Sequence, residues 1–194
     1  FPYTTLFRSY NGGVRLFEIP FNPSRKNTIE ETKESIKAAR RAAGGKLAIG
    51  AGTVVSIDFL EAAYEAGASF IVSPNTNINI ISRTKELGLL SIPGAYTPTE
   101  IQSAYDAGAD IVKVFPITVN DIPYLKNIMT PLSHIPFITT GGVNQDTAAA
   151  FLEAGAIAVA AGGSIVKPEL VREGNYAEIT RLAKMHIDSV KKSI

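Results

Sequence analysis

One unit recurs along this chain: a helix-like stretch closes on a glycine and a short apolar run follows. The glycine exits are Asn11-Gly12-Gly13, Glu65-Ala66-Gly67, Glu86-Leu87-Gly88, Asp106-Ala107-Gly108 and Glu153-Ala154-Gly155. They lead into apolar runs at 14–20, 68–74, 89–93, 109–116 and 156–161. Glycine ends a helix readily because it enters the left-handed region without a Cβ penalty. Runs that are apolar on both faces, or nearly so, suit strands covered by helices. Residues 46–53 and 135–141 fit as two further strands, which makes seven. Helices are predicted at 28–43, 57–66, 78–87, 98–107, 121–132, 146–154 and 176–192. Asn27 with Glu30 resembles a capping box, and Thr97-Pro98-Thr99-Glu100 is a fuller one.

Strict strand–helix alternation implies parallel strands joined by right-handed crossovers. The expected class is α/β, a (β/α)8 TIM barrel lacking the usual first strand and most of the first helix. The deficit falls at the front, where residues 1–10 supply neither a complete helix nor a strand. They are set apart as an atypical N-terminal segment, and 11–194 are read as a single domain.

Composition narrows the function classes. The chain has 194 residues, 45% hydrophobic and 19% charged, enough apolar material for a sizeable core. A net charge of +1 argues against a broad nucleic-acid or acidic-membrane surface. The absence of cysteine excludes disulfides, thiolate metal sites and cysteine nucleophiles. The two histidines, His134 and His186, lie far apart and are expected to be surface or loop residues without a role. No apolar run reaches ~18 residues, as a membrane span requires. No secretory signal is read, so a cytoplasmic location is the default.

Four features carry candidate chemistry. Lys113 lies in Ile111-Val112-Lys113-Val114-Phe115-Pro116, on the strand face shared by Ile111 and Phe115. Facing a barrel interior, its ammonium would be desolvated and its pKa lowered, and a neutral amine can attack a ketone. The plainer alternative is a strand-end lysine reaching for water. Glu18 shares a face with Val14 and Leu16, so a carboxylate continues an apolar row; burial would raise its pKa and suit it to proton transfer. Its alternative is a structural ion pair, with Lys113 itself a candidate partner. Glycine-rich exits follow two late strands, Thr140-Gly141-Gly142-Val143 and Gly162-Gly163-Ser164. They offer backbone N–H groups and a hydroxyl to a phosphate, where such barrels frequently bind one; ordinary tight turns are the alternative. Gly50-Ala51-Gly52-Thr53-Val54 lacks the third glycine of a dinucleotide fingerprint. It reads equally as a kinked strand or as a place where a ligand approaches the backbone.

In order, Glu-Ile-Pro-Phe-Asn at 18–22, Gly-Ala-Gly-Thr-Val at 50–54, Ser-Pro-Asn at 73–75, Ile-Pro-Gly at 92–94, Val-Lys-Val-Phe-Pro at 112–116, Thr-Gly-Gly-Val at 140–143 and Gly-Gly-Ser at 162–164 resemble the 2-keto-3-deoxy-6-phosphogluconate / 4-hydroxy-2-oxoglutarate aldolase family. The resemblance runs from Asn11 to about Ile194. It implies a class I aldolase with Lys113 as Schiff-base lysine and Glu18 as general acid/base. Thr53, Pro74, Phe115, Thr140 and Asn22 would contact the substrate, and Gly141, Gly142, Gly163 and Ser164 its phosphate. It further implies no cofactor or metal, and a homotrimer. Many members carry arginine where this chain has Asn22. Another branch, resembled by the phosphogalactonate aldolases, has Asn there together with an arginine in its first strand; Arg8 of this chain lies in a different context.

The reaction so implied cleaves a 2-keto-3-deoxy-6-phospho-sugar acid to pyruvate and glyceraldehyde 3-phosphate, and 4-hydroxy-2-oxoglutarate to pyruvate and glyoxylate. The alternatives are the galactonate epimer as substrate and a non-catalytic phosphosugar-binding remnant. A metal-dependent phosphate-binding barrel would need strand-end ligands, of which only Glu18 is suitable.

Overall fold

The computed structural model describes residues 3–191. The elements run α1 (Tyr3–Asn11), β1 (Leu16–Pro20), α2 (Thr28–Ala43), β2 (Ala48–Gly52), α3 (Ile57–Glu65), β3 (Phe70–Val72), α4 (Ile78–Glu86), β4 (Leu90–Ile92), β5 (Gly94–Ala95) and α5 (Pro98–Asp106). They continue with β6 (Val112–Val114), a 3-10 turn (Val119–Asp121), α6 (Ile122–Met129), β7 (Phe137–Thr140), α7 (Ala148–Glu153), β8 (Ala158–Ala160), α8 (Pro168–Arg172) and α9 (Tyr176–Lys191). The strands form two four-stranded sheets, ordered β1-β2-β3-β4 and β5-β6-β7-β8. The pairs β1–β2, β2–β3, β3–β4 and β7–β8 are parallel, as helical crossovers require.

All seven expected strands are present. The one expected up to residue 93 continues past it as two pieces, β4 and β5, on either side of Pro93. Proline has no N–H for a ladder, but its carbonyl still accepts, here from the Lys113 backbone N–H at 2.8 Å.

The chain divides into two compact units. One is Leu16–Lys113; the other holds the described residues before Leu16 and after Lys113. In the first, Ile49, Ala51, Ile71 and Val72 are buried, each large side chain contributing about 1.5–3 kcal/mol. Gly50 leaves room for the Phe70 ring, which a Cβ there would strike. Phe21 stacks on Phe59 with centroids 4.5 Å apart. In the second unit, Ile165, Ile179 and Ala183 form a buried cluster with Val14, Leu170 and Tyr176 against it.

Three expectations are corrected. Of residues 1–10, set apart as supplying neither a complete helix nor a strand, 3–10 belong to α1, which ends at Asn11 as the glycine exit there implies and packs on α9; Phe1 and Pro2 lie outside the described residues, as does residue 192 of the last predicted helix. Leu6 and Thr5 are fully buried, and a Cβ on Gly12 would meet Ala183 and the Thr180 carbonyl. The order of α1 therefore comes from docking rather than from local propensity. Asn27 makes no side-chain cap on α2; instead Thr28 Oγ1 accepts from the Asn22 N–H at 2.8 Å. Leu16, expected with Val14 to form the apolar row that Glu18 continues, is 65% exposed where β1 begins. The box on α5 forms as expected: the Glu100 N–H donates to Thr97 Oγ1, and Glu100 Oε2 accepts from the Thr97 N–H at 2.8 Å.

Candidate active site

In the unit Leu16–Lys113, β1 and β6 each carry one ionisable side chain at mid-strand. Glu18 pairs in register with Gly50, and Pro20 with Gly52. A Cβ on Gly52 would fall on Oε1, Cδ and Cγ of Glu18, so the carboxylate lies across the end of β2 in the space that this glycine leaves. Lys113 is 8% exposed between the fully buried Val112 and Val114.

Burial raises the Glu18 carboxyl above its ordinary 4.5, and the charge of Lys113 pulls it partly back. Burial lowers the Lys113 amine below its ordinary 10.5, and the charge of Glu18 opposes that. Each group thus feels the other's charge, while desolvation drives both toward neutrality. A less protonated amine is a nucleophile for a carbonyl, and a carboxyl moved toward neutral pH can both give and take a proton.

The neighbouring strand exits are held by their own hydrogen bonds. Thr53 adopts φ 54°, a left-handed conformation that costs a non-glycine residue roughly 1–3 kcal/mol. The backbone on both sides of it is fixed: Phe21 N–H donates to the Gly52 carbonyl and Val54 N–H to that of Val72. Ser73 Oγ donates to the Val54 carbonyl at 2.7 Å, and Thr76 Oγ1 to that of Gly94 at 2.9 Å. Gly94 lets the Pro74 backbone approach where a Cβ would collide with it. Asn22 is exposed, and its Oδ1 accepts from the Ser24 N–H at 3.1 Å, an Asx turn opening the loop to α2.

In the other unit, Phe115 follows β6 and is half-buried. Thr140 ends β7 with its hydroxyl buried and, among the described residues, without a hydrogen-bond partner, which suits it to receive a ligand. The two glycine pairs differ. Gly141 and Gly142 have φ of 107° and 57°, and a Cβ on Gly141 would meet the Ile117 carbonyl. The chain itself needs those glycines. Among the described residues nothing lies within 4 Å of where a Cβ on Gly162 or Gly163 would stand, and neither has a positive φ, so no contact with those residues requires glycine there. Ser164 Oγ lies 2.9 Å from the Val143 carbonyl and 3.0 Å from His186 Nε2.

His186 corrects an expectation. It is buried on α9, 5% exposed, rather than a surface or loop residue, whereas His134 is exposed in a turn as expected. Its signal lay in helical spacing, since 179, 182, 183 and 186 share one face. Sequence reasoning also passed over Gly52 as the seat of Glu18 and the strained backbone of Thr53.

Residues 8–182 match the family model for KDPG and KHG aldolase. The chain belongs to that family. A 2-dehydro-3-deoxy-6-phosphogalactonate aldolase of Escherichia coli K12 is 32% identical over 171 residues, 88% of this chain and 78% of the relative. A 2-dehydro-3-deoxy-phosphogluconate aldolase of Treponema pallidum is 28% identical over 180 residues, 92% of this chain and 82% of the relative. The native KDPGal structure superposes with a TM-score of 0.86 at 27% identity, covering 98% of this chain and 88% of that one. This KDPG/KHG aldolase family member is thus an enzyme of the aldehyde-lyase class with the (β/α)8 TIM-barrel type of fold. No helix among its described residues is long and apolar enough to cross a membrane.

Proposed function

We propose that the protein cleaves 2-keto-3-deoxy-6-phosphogluconate-type acids to pyruvate and glyceraldehyde 3-phosphate through a Schiff base on Lys113, and also 4-hydroxy-2-oxoglutarate to pyruvate and glyoxylate. The observation that carries this reading is the buried Lys113 amine coupled to the buried Glu18 carboxyl.

Neutral Lys113 Nζ adds to the C2 carbonyl. Glu18 donates the proton with which the carbinolamine loses water, and an iminium forms. The Glu18 carboxylate then takes the C4 hydroxyl proton as the C3–C4 bond breaks. Its electron pair flows into the iminium to give an enamine, and glyceraldehyde 3-phosphate leaves. The enamine gains a proton at C3, and water releases pyruvate and the amine. The iminium supplies the electron sink, and the phosphate anchor supplies position.

Thr53, Pro74, Phe115, Thr140 and Asn22 are assigned to the keto-acid end. The phosphate goes to the backbone of Gly141, Gly142 and Gly163 and to the Ser164 hydroxyl. The open Cβ spaces at 162–163 and the orphan hydroxyl of Thr140 support these assignments. No cofactor takes part in this scheme. Family resemblance supports a homotrimer made of single-domain subunits, with α1 included in each, acting in the cytoplasm.

Asn22 favours a second reading, in which the galactonate epimer is preferred. One comparison of kcat/KM on the two C4 epimers decides between them. For the reaction itself, borohydride added with pyruvate should label Lys113, as read by peptide mapping, and Lys113→Ala should abolish the label. Folded protein that stays unlabelled would overturn the proposal.

A further inference from the structure

A polar chain inside the second unit links the last helix to the glycine-rich exit of β8. His186 Nδ1 lies 2.8 Å from the Leu182 carbonyl, which can only accept, so Nδ1 carries a proton. Nε2 lies 3.0 Å from Ser164 Oγ. Ser164 Oγ in turn lies 2.9 Å from the Val143 carbonyl, in the segment that follows β7. One hydroxyl, with a single proton for either Nε2 or the Val143 carbonyl, therefore stands between α9 and the β7 exit. The Gly162–Ser164 corner also has its own turn, with the N–H groups of Ile165 and Val166 both donating to the Gly162 carbonyl at 2.9 Å.

We propose that His186 is a positioning residue for the phosphate subsite. Through its bond to Ser164 it fixes where that hydroxyl and the Gly162–Gly163 backbone stand, and so sets affinity for the phosphorylated end of the substrate. This rests on the assignment of Ser164 to the phosphate. The physical argument is the burial of the ring. An imidazole 5% exposed, on the helix face that also carries the buried Ile179, Leu182 and Ala183, must satisfy its nitrogens within the protein, and it has one contact in its own helix and one on the loop. The second contact leaves the helix and reaches Ser164, so it ties that hydroxyl to α9.

Two replacements separate that contact from packing. Glutamine places a polar atom near the position of Nε2, so His186→Gln keeps a partner for Ser164. Asparagine reaches only the position of Nδ1, so His186→Asn keeps the Leu182 contact and loses Ser164. The probe is glycerol 3-phosphate, measured by calorimetric titration, which needs no turnover. His186→Asn should weaken binding about tenfold or more, His186→Gln less than about threefold, and in a Ser164→Ala background His186→Asn should add nothing. In turnover, His186→Asn should raise KM for the phosphorylated acid while leaving kcat, and kcat/KM on 4-hydroxy-2-oxoglutarate, unchanged. Equal effects of Asn and Gln, equal losses on both substrates, or a wild-type protein that does not bind glycerol 3-phosphate would overturn the proposal. Wild-type protein that binds the phosphate but forms no pyruvate adduct would instead sink the aldolase chemistry and leave this subsite standing.

Discussion

At position 52 the chain depends on the lack of a side chain, and the same is true two residues earlier for a different reason. An added methyl at Gly52 meets the far end of Glu18, which can swing away; at Gly50 it meets the Phe70 ring inside the core. Gly52→Ala is therefore expected to cut kcat by about tenfold or more, by displacing the carboxyl to which proton transfer is assigned in the proposed reaction, while its Tm changes little. Gly50→Ala should cost about 1–3 kcal/mol of stability by overpacking and leave kcat nearly intact. Melting curves and steady-state rates on both variants check the contrast. The Glu18–Lys113 pair makes a second prediction. Lys113→Met alone strips Glu18 of its cation, so the carboxyl's folded-state value rises further above 4.5. The folded state then binds more protons than the unfolded one above pH 4.5, and stability falls as pH rises through that window. Lys113→Met with Glu18→Gln removes both desolvated charges and should exceed wild type at pH 7 by about 1–4 kcal/mol. That margin should shrink as pH climbs toward 10.5, because a lowered lysine value costs the fold least where the unfolded lysine is neutral too. Denaturant titrations from pH 5 to 10 read both slopes. These two side chains were legible in the sequence because a charge in an apolar alternating strand stands out. His186 was not, since one histidine on a helix face looks like any half-buried ring until its partners are known.

Among the elements, α5 shows local sequence deciding a boundary. The Glu100 carboxylate accepts from the N–H groups of Tyr96 and Thr97 at 3.0 and 2.8 Å, and those bonds hold it below the usual 4.5. Glu100→Ala should destabilise the protein by about 0.5–2 kcal/mol at pH 7. A lowered carboxylate value gives stability that is complete above 4.5 and lost as pH falls through the folded-state value. The gap between wild type and variant should therefore close on acidification, as urea unfolding at pH 7 and pH 3 would show. The same local logic explains which elements were legible. α2, α3, α4 and α5 end within a residue of the predicted bounds because glycine exits and caps lie in the nearby sequence. α1 was missed because its helicity depends on α9, far along the chain. α8 was missed because five residues carry too little periodicity to read. The break at Pro93 was missed because only the sheet pairing shows β4 and β5 parting there.

At the level of the whole molecule, fold and chemistry constrain one another. Parallel strands joined by helices bury their middles and open at their ends, so a reacting group set in mid-strand is desolvated and its partners come from the loops. Cleaving C3–C4 leaves an electron pair that needs a sink, and nature supplies either a metal-bound enolate or an iminium. The chain has 18 acidic residues, two histidines and no cysteine. Among its described residues no group of three His, Cys, Asp or Glu side chains is arranged to hold a metal ion. Lys113, by contrast, has the burial that an iminium-forming amine needs. The two routes separate cleanly in one experiment. If Lys113 is the sink, prolonged dialysis against a chelator should leave turnover of the phosphorylated acid unchanged, and Lys113→Ala should remove it by ~10³-fold or more. Activity lost to the chelator and restored by magnesium or zinc would move the electron pair from the lysine to a metal, and Glu18 with it from proton carrier to ligand.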